Sequence, residues 1–171
     1  MSQKLRGKWA LGIQPRDLIW IIKDKLAICE RPGGFGASHR KVRRQEEVIW
    51  LRENDFHCIV SVSGAPHNLQ TYDEIGVPYK HVPLLTSDNV DDWCKSFFAE
   101  LNSLLSSGAR TIVHAEEVSD QLVSIMGAYL RWLGVVNEPT EAVTLIERLA
   151  NRALEPASRS LIFRAHEFRK A

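Results

Sequence analysis

The residues with the most chemistry in them lie in one short stretch, His114, Ala115, Glu116, Glu117, Val118, Ser119, Asp120 and Gln121. It holds an imidazole, three carboxylates, a hydroxyl and an amide. Carboxylates so grouped can take a hard cation such as Mg²⁺ or Ca²⁺, or act as acid and base. A Ser119, His114 and Asp120 triad would need contacts that residues this close in sequence rarely make. Anion binding would instead use the unpaired N–H groups of a helix start, which the helix dipole supports. Against it stand Glu116, Glu117 and Asp120, because one charge pair at about 5 Å is worth roughly 3 kcal/mol at an effective dielectric of 20. The simplest expectation is a solvated acidic loop in which Asp120 serves the helix that follows.

A second set, of opposite sign, is Arg31, His39, Arg40, Lys41, Arg43 and Arg44, spread along RPGGFGASHRKVRR. Pro32, Gly33, Gly34 and Gly36 break regular structure there, and their spacing fits neither GxxxxGK[ST] nor GxGxxG. These cations are expected either to form the solvated face of a helix or to bind an anion or an acidic partner beside a glycine loop.

The elements that must position both sets follow from hydrophobic spacing. Thr111, Ile112 and Val113 read as a strand. Leu122, Ile125, Met126, Tyr129, Leu130 and Leu133 recur at offsets of three and four, the stripe of a helix with one buried face. The acidic stretch is therefore the turn of a strand, tight loop and helix. Upstream, Leu18–Ile22 and Leu26–Cys29 flank Lys23-Asp24-Lys25 and read as a hairpin. Ser38 is expected to cap a helix carrying Val42, Val48, Ile49 and Leu51 inward. Cys58–Val62 reads as a parallel-type strand. Val90–Ser106 reads as a helix whose aromatic stripe (Trp93, Phe97, Phe98) is core, closed by Ser107-Gly108. From Thr140 a further helix turns Ala142, Val143, Ile146 and Leu149 inward, and after Pro156 a short one carries Leu161, Ile162, Phe163 and Phe168.

Length and composition limit the alternatives. The chain has 171 residues and 19.4 kDa, enough for one core without metal or disulfide staples, with 44% hydrophobic and 25% charged residues. No linker or repeat divides it, so residues 1–171 are expected to form a single α/β domain. A formal net charge of +1 argues against a general nucleic-acid or membrane coat. No apolar run reaches about 18 residues, so no membrane span is expected. Cys29, Cys58 and Cys94 are scattered and odd in number, and the basic opening Met-Ser-Gln-Lys-Leu-Arg lacks an export core. Together these point to a reducing cytoplasm and to buried, inert thiols. Among the five tryptophans, Trp50 and Trp132 are the candidates for an exposed aromatic contact surface.

Several segments, in order, resemble the small dual-specificity phosphatases of the protein tyrosine phosphatase superfamily. The string WIIKDKLAICERP is similar to their opening hairpin, which ends near Arg-Pro. GVPYKHVP is similar to the strand that reads Gly, Tyr, His, Pro before the loop of the general-acid Asp. The strand, loop and helix around His114 is similar to their signature element, where His-Cys is followed by five residues and an Arg, with a Gly in the loop. The resemblance runs from about Leu18 to Phe168. It implies a three-layer α/β fold, a central and mainly parallel sheet flanked by helices.

In that family a low-pKa Cys attacks phosphorus and the Arg grips the phosphoryl oxygens. Here His114 matches, but Ala115 stands at the nucleophile position, Gln121 at the Arg position and Val118 at the loop Gly. The general-acid register falls on Thr86, and the nearest carboxylate, Asp88, is two positions away; a helix-start role beside Asp91 and Asp92 is its simpler expectation. The resemblance thus implies a pseudophosphatase: an inactive, cofactor-free and metal-free domain that binds a protein partner or a second copy of itself. Two alternatives remain open. One is an enzyme with altered chemistry in the same cleft, using Asp88, Glu116, Glu117 or Asp120. The other is an anion-recognition module held by Arg31 and Arg40 to Arg44.

Overall fold

A computed structural model describes residues 11–169; the basic opening at residues 1–6 lies outside them. The predicted hairpin is β1 (Ile19–Ile22) and β2 (Leu26–Glu30), antiparallel, with Asp24 at its turn in the left-handed region at φ 61°. β3 (Cys58–Ser61), β4 (Tyr79–His81) and β5 (Thr111–Ala115) complete a five-stranded sheet in the order β1-β2-β5-β3-β4. Every pairing except β1 with β2 is parallel. β5 sits between β2 and β3, so it is buried on both faces, as its continuous apolar run requires.

Helices cover both faces. On one, α1 (Lys41–Glu53) and α2 (Gln70–Ile75) pack Val48, Leu51 and Tyr72 against Ala27, Ile59 and Ile112. On the other lie α3 (Val90–Ser106), α4 (Asp120–Leu133), α5 (Pro139–Ala150) and α6 (Pro156–Arg164), with a closing 3-10 turn at Ala165–Arg169. Their core joins Phe97, Phe98, Met126, Tyr129 and Ile162 to Ile28, Val60 and Val113. This is the three-layer α/β fold expected from the sequence. No helix among the described residues is long and apolar enough to cross a membrane.

Several details depart from the expectations, for identifiable reasons. Ser38 does not cap α1: it lies in a 3-10 turn (Gly36–Ser38), its hydroxyl donates to the Phe35 carbonyl, and Arg40 precedes the helix. Val42, in the first turn of α1, is 68% exposed, and Leu149 and Phe163 are also exposed. Phe163 lies between the fully buried Ile162 and the buried Ala165, so it takes the outward face of α6. α4 has no solvent face over Leu122–Leu130, because α5 and α6 pack on the side away from the sheet. Trp50 and Trp132 are half-buried against Phe56 and Tyr129, so neither forms an exposed aromatic patch. All three cysteines are buried and unpaired.

Candidate functional site

The parallel register sets Cys29 and Ser61 beside His114, and Glu30 beside Ala115. Side chains alternate along a strand, so Ile112 and His114 face α1 and α2 while Val113 and Ala115 face the larger helical layer. That alternation separates the histidine from the cleft. His114 is fully buried, its ring edge-on to Tyr72 at 6.0 Å. Burial, and then the Arg31 charge, push its pKa down to about 3, so the imidazole is neutral. Its Nδ1 lies 3.3 Å from the Ala115 carbonyl, which can only accept, so Nδ1 carries the hydrogen and Nε2 accepts from the Tyr72 hydroxyl at 3.4 Å. His114 is a structural histidine.

Beyond β5 the loop turns without any residue at positive φ. Val118, at the position of the family's loop Gly, has turned its side chain into the core. Ser119, rather than Asp120, caps α4, accepting from the Leu122 N–H at 3.3 Å. Asp120 accepts from the Glu155 N–H at 3.1 Å and lies 3.5 Å from Arg152, whose guanidinium also donates to the Val118 carbonyl. Glu116 pairs with Arg31 at 3.0 Å. Two of the three carboxylates are therefore compensated, and the expected repulsion by three charges reduces to that of Glu117, which is exposed with no ion pair among the described residues. Arg152 was not among the sequence-derived candidates. It lies in the turn after α5, just past Asn151 in the left-handed conformation, and no periodicity links it to a loop 32 positions upstream.

The cleft above Ala115 encloses about 200 Å³. Val62, Leu84, Leu122 and Ile125 supply its apolar wall; Ser63, Glu116, Glu117, Ser119 and Gln121 supply its polar groups. It contains neither a thiol nor a guanidinium. Burial pushes the thiols of Cys29 and Cys58 up, and that of Cys94 up to about 12, and none of the three borders the cleft. Asp88 closes a turn by accepting from the Leu85 N–H at 2.7 Å, and Asn89, not Asp88, caps α3. Glu116, Glu117 and Asp120 do not converge, and no group of three potential metal ligands occurs among the described residues. His114 and Ser119 lie on opposite sides of the sheet, so they form no triad with Asp120.

The basic segment divides into inner and outer residues. Arg31 is buried, donating to the Ala65 and His67 carbonyls as well as to Glu116. Arg43 binds Glu30 at 3.0 Å and Glu47 at 2.5 Å, and Glu47 accepts in turn from the Gly33 N–H. Arg44, 5% exposed, lies 3.0 Å from His39 Nε2, which must accept; burial and the surrounding arginines lower the His39 pKa. Gly33 sits at φ 89° directly over this pair, where a Cβ would come 2.6 Å from that of Arg44. Only Arg40 and Lys41 present exposed cations. A second cavity of about 480 Å³ lies between the glycine loop and the turn after β3, lined by Arg31, Phe35, His39, His67, Asn68 and Glu116. Glu116, paired with Arg31, lines both this cavity and the cleft.

No family model matches the sequence, and no curated protein matches it either. Solved structures do. Kinase-associated phosphatase, with its catalytic-site cysteine replaced by serine, superimposes with a TM-score of 0.71 at 19% identity, over 91% of this chain and 95% of that one. Human DUSP28 gives 0.62 at 15%, over 93% and 100%. The core catalytic domain of the PP-IP phosphatase SIW14 from S. cerevisiae, in complex with citrate, gives 0.64 at 12%, over 89% and 86%. The chain has the dual-specificity phosphatase fold.

Proposed function

We propose that this chain, built on the dual-specificity phosphatase fold, is a catalytically inactive domain that acts by binding another protein. The observation that carries this reading is the composition of the cleft: at its floor stands Ala115, and on its rim Gln121, where the fold would need a thiolate and a guanidinium. Neither can be replaced from nearby. The cysteines are buried away from the cleft. Arg31 and Arg152 are engaged in holding Glu116 and Asp120. A neutral amide at position 121 can share hydrogen bonds with a phosphoryl group but cannot balance its charge. The supply of general acid is equally poor, since Asp88 is exposed and spent on the Leu85 turn. A loop bolted at three points, by Arg31, by Arg152 and by the buried Val118 side chain, presents a fixed surface, which suits recognition.

The test is hydrolysis of an aryl phosphate. The protein should release phosphate at the buffer rate. Ala115→Cys should stay at that rate and gain turnover only when Gln121→Arg is added, because the nucleophile without its partner cation has no means of holding the phosphoryl group. Steady phosphate release by the unaltered protein would overturn the reading, and turnover by the single revertant would show that the loop retains more of the cradle than its residues indicate.

A further inference from the structure

The glycine loop forms one wall of the cavity of about 480 Å³, through Gly34, Phe35, Gly36 and His39. Residues 35–38 are exposed, and the loop bonds mainly to itself. The Ser38 N–H and hydroxyl donate to the Phe35 carbonyl, the His39 N–H to the Gly36 carbonyl, and the Arg40 guanidinium to the Ala37 and His39 carbonyls. Among the described residues, one hydrogen bond ties residues 35–39 to the body of the protein: His39 Nε2 accepts from Arg44 Nη1 on α1 at 3.0 Å. Arg44 is buried and its Nε has no partner, so this ring nitrogen is the sole acceptor that its guanidinium meets among the described residues. Gly33 makes room for the contact, since a Cβ there would come 3.0 Å from His39 Nε2.

We propose that His39 is a proton-operated latch: while neutral it fastens the glycine loop to α1 through Arg44, and on taking up a proton it releases the loop and opens that wall of the cavity. A guanidinium can only donate, so the bond lasts only while Nε2 keeps its lone pair. Protonation puts an N–H on Nε2 and sets an imidazolium against a guanidinium, with like charges and two donors face to face. The groups facing His39 do not offset this. Arg40, Arg43 and Arg44 face it from α1 and the residue before it, and Arg31 from the segment after β2. Across the cavity stand His67, in the turn after β3, and Glu116, in the loop after β5. Glu116 is held by Arg31, while Glu30 and Glu47 are held by Arg43. Burial, and then the arginine charges, accordingly lower the His39 pKa. The released state is the one that binds the proton, so the loop is fastened at neutral pH and let go as pH falls.

NMR on the isotope-labelled protein tests this in two ways. The His39 ring signals should titrate with a midpoint below the ordinary value of about 6.5, and Arg44→Met should raise that midpoint. Amide hydrogen exchange, corrected for its intrinsic pH dependence, reads the loop itself. Protection at Ser38, His39 and Arg40 should fall about tenfold from pH 7.5 to pH 5.5, one unit below the free-histidine value. His39→Gln offers an acceptor that does not titrate, so the same three positions should then keep their protection at both pH values. Exchange at Val113 in β5 reports global opening and separates release of the loop from the His114-linked loss of stability. A His39 midpoint at or above about 6.5 would overturn the proposal, as would a midpoint unmoved by Arg44→Met. So would protection of the loop that is independent of pH, or that falls equally in His39→Gln.

Discussion

His114 shows how much of this site is decided by which way one side chain points. Buried against Tyr72 and kept neutral by its surroundings, it links folding to pH. In the unfolded chain the imidazole takes up a proton at about pH 6.5, and in the folded one not until about pH 3. Between these values the unfolded state binds more protons, so stability falls as pH falls, by about 1.4 kcal/mol per pH unit for this group. Its contribution is complete above about pH 6.5, and roughly 2 kcal/mol should be lost by about pH 5. Urea denaturation at a series of pH values measures this. His114→Gln, less stable near neutrality, should lose that part of the slope; an unchanged slope would mean that other groups carry it.

At the scale of the element, α4 is the helix on which the larger layer is assembled, with every residue from Leu122 to Leu130 buried. Gly127 allows this. A Cβ there would lie 2.7 Å from Ile162 Cδ1 and 3.1 Å from Ile146 Cγ2, so the glycine sets how closely α5 and α6 approach. A glycine inside a helix costs about 1 kcal/mol relative to alanine, and close packing of two helices offsets that here. Gly127→Val should destabilise by about 1–3 kcal/mol through overpacking, a fall in Tm of several degrees by calorimetry. Unchanged stability would show that the helices can move apart freely. The same helix fixes the loop, since its cap is Ser119 and its first carboxylate is held by Arg152 from the turn after α5.

For the whole molecule, one sheet is shared by two cores. Ile112 belongs to one and Val113 to the other, so adjacent residues of β5 couple the two helical layers. Neither layer can leave without exposing an apolar face of the sheet, and the expected consequence is a single cooperative thermal transition with equal calorimetric and van't Hoff enthalpies. Two resolved transitions would contradict the single-domain organisation expected from the sequence. At this scale too the bidentate pair between Asp91 at the start of α3 and Arg164 at the end of α6 ties the helical layer together; the guanidinium holds the Asp91 carboxyl below the usual carboxylate range.

The amino-acid sequence by itself determined the strand, loop and helix around residues 111–133, the opening hairpin, the α/β class and a loop without thiol or guanidinium. All of these depend on residue type and on spacings of a few positions, which short-range periodicity and backbone preference carry. Arg43 and Glu47 belong to the same kind of information, because an i,i+4 pair can be read along a helix. Only the tertiary structure decided which charges are free. Arg31 meets Glu116 across 85 positions and Arg152 meets the loop across 34, and such pairings arise when distant segments are packed together, leaving no local pattern. The same cause placed Arg44 inside and enclosed α4 over Leu122–Leu130.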